Sequence, residues 1–464
     1  MVFSSLSFLF LFLPLLYLLY FIIPNLRWRN GVLVAMSLLF YGWGEPVWIL
    51  AMLFSTLVNY FCARTVTRIA DVRRRRLVLT LGVLASVSFL AYFKYAAFFA
   101  NSFAALFGSA WRMSEPRLPI GISFYTFQVL TYTVDVYRGK AEALDSPLDL
   151  LLYVSCFPQL IAGPIVQYAD IAPELRQRAV LPDDFADGFR RFVKGLAKKV
   201  LLANLCGQAL EELALGQAGW TVVGAWLGAF LYGLQIYFDF SAYSDMAIGL
   251  GRTLGFHYKE NFDFPFASQT VGEFWRRWHM SLGAFFRDYV YIPLGGSRCS
   301  TARAIFNTLF VWLLTGLWHG ANWNFVLWGL YFGVILLLER YVLKKALKRA
   351  PKLLRLGWTS LLVLISWVIF YEVDLGQMGR HLTALVGLGV TGWIDDTART
   401  VLRTWTLFPL LAWLLSLPTV PAIQKRLPKK LGEAFGMVLT PLLLGVSVVF
   451  LIGQSYNPFI YFRF

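Results

Sequence analysis

Apolar runs long enough to enter a bilayer recur along this chain, and no other feature narrows its folding options so far. Candidate membrane segments lie at residues 2–23, 77–92, 221–251, 322–338, 358–370 and 436–452, to be set against the roughly 17 to 25 apolar residues of a helical span. Shorter apolar pieces between them raise the expectation to roughly a dozen transmembrane or re-entrant helices, some not fully spanning. Composition agrees. Of 464 residues 58% are hydrophobic and only 15% charged, and mean hydropathy is +0.60, far too apolar for a soluble domain.

Positive charge at the span ends sets orientation. No basic residue precedes Arg27, so the opening run lacks the positive n-region of a cleaved signal and reads as a retained first helix. Arg27 and Arg29 follow it, a turn without Lys or Arg near Pro46 comes next, and Arg64, Arg68 and Arg73 to Arg76 close the third segment. That alternation predicts an extracytoplasmic N-terminus. Later basic clusters at 190–199, 340–355 and 425–430 mark cytoplasmic loops and put most of the +16 net charge on one face. Topology accounts for this bias, and so does recruitment of an anionic substrate; a nucleic-acid partner is not expected. The cysteines Cys62, Cys156, Cys206 and Cys299 have no CxxC or Cys–His spacing. They read as packing residues, and no metal site is expected.

No hydrophilic stretch is long enough for a separate domain and no repeat is visible, so residues 1–464 read as one all-α membrane domain. Residues 181–200 place Phe185, Phe189, Phe192 and Leu196 on one helical face, opposite Arg190, Arg191, Lys194 and Lys198. This pattern predicts an interfacial helix on the cytoplasmic leaflet, in contact with membrane lipid. Pro and Gly break two apolar segments, 119–125 and 157–164. Irregular backbone survives at membrane depth where protein or a watery cavity satisfies it, so these read as re-entrant elements or as kinks in spanning helices.

His319 stands out chemically. It lies in LLTGLWHGANWN, between two apolar runs with no nearby charge, and ionisable groups at such depth are costly and tend to be functional. Continued as a helix, the segment would put Trp312, Thr315, His319 and Asn322 on one face, beside Trp318 and a Gly316/Gly320 small-residue pair. A neutral imidazole there can take a proton from an attacking hydroxyl, or can simply be a hydrogen-bonded packing residue. His279 lies in EFWRRWHMSL, followed by FRDYVYIPLGGSR. Arg276, Arg277, Arg287 and Arg298, interleaved with aromatic residues, suit either phosphate binding or a snorkelling membrane-boundary belt. Asp239 and Asp245, with Gln235 and Ser241, occupy a stretch free of Lys and Arg and need hydration or cationic partners. Arginines of the 276–303 loop are one source of such partners. His257 and His381 fall in boundary or loop contexts.

The segments LPIGISFYTFQVLTYTVDVYRG, FPQLIAGPIVQY, QIYFDFSAYSDMAIGLG, NFDFPFASQTVGEFWRRWHMSLGAFFRDYVYIPLGGSR and LTGLWHGANWNFVLWG together resemble the membrane-bound O-acyltransferase family. Within it they look most like the bacterial alginate O-acetyltransferase branch, which also resembles the D-alanyl transferase of teichoic acid modification. The resemblance implies an all-helical funnel in which a cytoplasmic thioester donor, here acetyl-CoA, threads its pantetheine arm toward a catalytic His319, with His279 at the family's second motif position. No permanently bound cofactor is implied. It further implies delivery of acetyl across a bacterial inner membrane for exopolysaccharide O-acetylation, through an extracytoplasmic acetyltransferase partner and beside a polysaccharide synthase complex. A carrier-protein donor, as in D-alanylation, and a polysaccharide or lipid transporter are the alternatives.

Overall fold

The computed structural model describes residues 1–216, 219–426, 428–453 and 459–460. Among them the fold is helical, and its one strand-like feature is an isolated bridge between Thr221 and Gly392. Six helices are long and apolar enough to cross a membrane: Ile49–Arg68, Val72–Leu106, Val222–Thr253, Trp323–Val342, Lys352–Tyr371 and Lys430–Gly453. The chain is therefore a multi-pass membrane protein, with half the expected dozen segments meeting that criterion. Other apolar helices, such as Phe8–Phe21, are shorter. Val72–Leu106 has 35 residues, about 50 Å at 1.5 Å per residue, so it extends beyond the hydrocarbon core. Most of the apolar window of Val222–Thr253 is buried by protein, whereas Lys430–Gly453 exposes nearly all of its own, as a lipid-facing helix does.

Contacts within the chain group it into two compact units. One comprises Met1–Phe192 with Ser244–Lys259, the other Val193–Tyr243 with Glu260–Phe464. In the first, the rings of Phe3, Phe8, Phe12, Phe40 and Phe157 cluster with centroids about 5 to 6 Å apart. The Ile122–Tyr137 helix is buried almost throughout. Its Thr133 donates to Asn59 Oδ1, and Asn59 Nδ2 donates to Ser86 Oγ, both at 2.8 Å, so three helices satisfy one another's polar groups.

Both broken segments lie here and are irregular for a visible reason. Gly121, at φ 77°, starts Ile122–Tyr137, and a Cβ on it would come within 3.1 Å of the Leu160 carbonyl oxygen. Leu160 ends the short Phe157–Leu160 turn, so the two breaks pack backbone to backbone. Within the 181–200 stretch expected to be helical, a helix forms as Pro182–Ala197, and it packs on protein. A Cβ on Gly188 would sit 2.6 Å from the Gly249 carbonyl oxygen, so a glycine pair lets this helix cross Val222–Thr253 in direct backbone contact. Of the cysteines, Cys62, Cys156 and Cys206 are buried as packing residues, but Cys299 is exposed.

In the second unit an aromatic core gathers Phe274, Trp278, Trp328, Phe332, Trp367 and Phe370, with Trp275 and Trp312 packed against it. The Thr301–His319 and Trp323–Leu337 helices form its hairpin. Gly316 and Gly329 face across this pair, each with the other helix's backbone where a Cβ would stand.

Candidate active site

The hairpin positions His319. Ser300 caps the Thr301–His319 helix by accepting from Arg303 N, and the helix stops at His319 because Gly320 is fully extended (φ −175°, ψ 153°). Asn322 therefore leaves the face expected from a continuous helix and becomes the N-cap position of Trp323–Leu337. The His319 ring is buried, edge to face against Trp318 and Trp328 at 4.9 Å and Phe370 at 5.1 Å between centroids. Asn324, which the sequence did not single out, is fully buried. Its Nδ2 donates to the carbonyls of Ile369 and Phe370 (3.3 and 3.0 Å), fixing the helix that carries Phe370.

His279 sits in the kink between the Val271–Arg277 and Met280–Phe286 helices, at φ 44° and ψ 53°. A left-handed conformation in a residue with a Cβ costs on the order of 1–3 kcal/mol and is kept where surrounding contacts over-determine it. The contacts are present: Met280 N donates to Asn261 O at 2.9 Å, and His279 Nδ1 lies 3.1 Å from Asn261 Oδ1. Phe240 covers the ring edge to face at 4.6 Å, and Trp318 lies 5.6 Å away. The Trp318 ring thus stands against both histidines. Burial pushes the His279 imidazole down to about 3, so it is neutral in any ordinary buffer.

A cavity of about 800 Å³ reaches His279 from the surface, with His319 outside its lining. His279 and Thr315, both buried, line its inner end, and Thr315 is one helical turn before His319. Trp275, Val311 and Trp312 form apolar wall, while exposed Arg276, Arg287, Arg340, Lys344 and Lys348, with half-buried Arg355, line the mouth. Glu339 is the one acidic residue in this lining among the described residues. Its carboxylate is already committed: it accepts from Val271 N (2.9 Å), Gly272 N (3.1 Å) and Trp358 Nε1 (3.2 Å), a helix N-terminus stabilised by an anion. Of the mouth cations, Arg287 is paired with Asp288 at 2.7 Å just outside the lining, and positive charge still predominates there.

The other candidates distribute as follows. Arg276 and Arg287 line the cavity, while Arg277 pairs with Glu273 at 2.8 Å, and neither it nor Arg298 lies in the lining. Asp239 pairs with Lys199 in a buried bridge and accepts from Ile460 N at 2.8 Å; Asp245 accepts from Arg191 at 2.9 and 3.1 Å. The cations come from residues 191 and 199, not from the 276–303 loop. Gln235 and Ser241 are buried and also lie outside the cavity lining. His381 is no loop residue: it is buried on the Leu375–Leu385 helix, stacked on Trp220 at 3.9 Å and 2.9 Å from Glu372 Oε1. His257 is exposed and lies 2.9 Å from Glu174. No cluster of metal-ligating side chains occurs among the described residues.

One buried histidine, His279, thus lines a cavity with a cationic mouth, and a second, His319, is buried on the other side of Trp318 in a multi-pass helical protein. Residues 36–371 match the model of the membrane-bound O-acyltransferase family, and the chain belongs to that family; it is an O-acyltransferase. It is similar to a probable alginate O-acetylase, AlgI, of Azotobacter vinelandii, 38% identical over the full length of both chains. It is also similar to the AlgI of Pseudomonas aeruginosa, 42% identical over 84% of this chain and 75% of that one. A peptidoglycan O-acetyltransferase of Helicobacter pylori is 33% identical over 84% of this chain and 80% of its own.

Proposed function

We propose that this protein takes acetyl from acetyl-CoA at the cytoplasmic face of a bacterial inner membrane and passes it across for O-acetylation of an exopolysaccharide of the alginate or cellulose type, with His319 as catalytic base. The cavity is the observation that carries this reading. Cations at its mouth suit the phosphates of a CoA thioester, and its apolar wall suits a pantetheine arm that ends near Thr315 and His279. The acetylase relatives support acetyl as the group and a polysaccharide as its final destination.

The reaction is acyl transfer by general base catalysis. The acceptor hydroxyl adds to the thioester carbonyl while the His319 imidazole takes its proton; collapse of the tetrahedral intermediate breaks the C–S bond and expels the thiolate, which recovers the proton as free thiol. An aromatic cage that excludes water favours transfer over hydrolysis. The acceptor in this reading is a hydroxyl of an extracytoplasmic acetyltransferase, which modifies polymer delivered by a synthase complex, since the described loops, such as that before the Asp396–Trp405 helix, offer little surface for a glycan strand.

Donor turnover by the purified protein tests the proposal. His319→Ala should stay monodisperse and lose about 10²- to 10⁴-fold in rate on labelled acetyl-CoA; near-normal turnover refutes the assignment. Turnover of an acetylated carrier protein but not of acetyl-CoA would replace the donor. In vesicles with acetyl-CoA on one side and glycan on the other, acetylated glycan without a second protein would refute the relay.

A further inference from the structure

Asn261 lies in the non-helical stretch that follows Val222–Thr253 and is fully buried. Its Oδ1 faces three donors: Ser281 N at 3.2 Å, Ser281 Oγ at 2.8 Å and His279 Nδ1 at 3.1 Å. The backbone N–H of Ser281 can only donate, so the side-chain atom facing it must be the oxygen, which settles the orientation of the amide. An oxygen there can only accept, and His279 Nδ1 must therefore carry the proton. Ser281 Oγ is also 3.5 Å from Nδ1, but its shorter contact is to the same Asn261 oxygen. A neutral imidazole protonated on Nδ1 has its lone pair on Nε2.

We infer that Asn261 is a positioning residue of the acyl-transfer site, which fixes His279 as the Nδ1–H tautomer and so makes Nε2 a proton acceptor in the ring that lines the inner end of the cavity. The same residue holds the strained backbone on which that ring is mounted, through its carbonyl oxygen and Met280 N. Nε2 in this state accepts a hydrogen bond from the acceptor hydroxyl, or from the free thiol once the thiolate has recovered its proton, but cannot donate one to the thioester oxygen. The inference concerns the O-acyltransferase site itself and uses the acetyl-CoA reading only for its kinetic arm.

Imidazole nitrogen and carbon NMR shifts distinguish the two neutral tautomers. With four histidines in the chain, a His279→Gln variant assigns the signal in histidine-labelled protein in nanodiscs. Wild type should show Nδ1 protonated at His279. Asn261→Leu should move the signal toward the Nε2–H form and lower kcat on the order of 10- to 100-fold, with KM for acetyl-CoA nearly unchanged. Asn261→Asp keeps the acceptor, so it should restore the Nδ1–H signature and most of kcat. That rescue separates positioning from a fold defect if Asn261→Leu is poorly folded. An Nε2–H signal in wild type, an Asn261→Leu variant that keeps both signature and kcat, or a well-folded Asn261→Asp variant without rescue would each overturn the inference. A wild-type protein with the expected signature but no turnover of acetyl-CoA would instead remove the donor reading and leave Asn261 in its role.

Discussion

Gly316→Ala probes the link between helix packing and catalysis most sharply. A Cβ at this position would overlap the Phe325 carbonyl oxygen, with the Phe325 carbonyl carbon 3.1 Å and Gly329 Cα 3.2 Å away. All three are backbone atoms of the facing helix, so no side chain can rotate to make room. A carbon–oxygen contact needs about 3.3 Å, and restoring it parts the two helices by roughly 1 Å locally. Overpacking of this kind costs about 1–3 kcal/mol. His319 rides on the displaced helix, and a shift of about 1 Å at a reacting group costs on the order of 10²-fold in rate. The variant should thus lose about 100-fold in kcat for acetyl transfer, with a smaller change in KM and a lower melting temperature in detergent. Gly357→Ala is the control: its Cβ meets nothing within 4 Å, and helix propensity favours alanine by up to about 1 kcal/mol. If Gly316→Ala behaves like this control in both assays, the close hairpin does not position His319 and the reasoning fails.

Three further outcomes are expected. Arg276→Ala or Arg340→Ala should raise KM for acetyl-CoA several-fold more than it lowers kcat, an effect weakened by salt, whereas Lys345→Ala, outside the cavity lining, should leave both unchanged. Because burial depresses His279 from 6.5 to about 3, its contribution to stability is present above 6.5 and is lost as pH falls toward the folded value. The loss is roughly 2 kcal/mol by about pH 5, so His279→Gln should flatten the melting temperature between about pH 7 and 5, and an unchanged slope would contradict the burial argument. Asp239→Asn strands Lys199 in a site where both side chains are under 5% exposed, and should destabilise by about 3–5 kcal/mol. Lys199→Met with Asp239→Leu should recover much of that in chemical denaturation.

The apolar runs by themselves determined a multi-pass helical protein, because an unbroken apolar stretch of about 20 residues satisfies its backbone in a bilayer as a helix, whereas a barrel strand is about half as long and alternates. The LWHG segment likewise marked His319 as the residue to explain, since an uncharged surrounding of that length makes an imidazole conspicuous. Tertiary structure decided how the site is assembled. Arg340, Lys344 and Arg355 looked like orientation signals, and only the turn after Trp323–Leu337 brings them beside Arg276 and Arg287, more than fifty positions earlier in the chain. Asp239 and Asp245 looked equally able to line a cavity, and the cations that claim them come from a helix whose amphipathic pattern suggested only a lipid surface. Asn261 carried no periodic or charge signal, since a single amide in an irregular stretch gains its meaning from the three donors that folding places around one oxygen. The end of the helix at Gly320 was similarly hidden: glycine there permits the extended turn without dictating it, and the close packing of Gly316 against Phe325 and Gly329 is what makes the chain reverse just past His319.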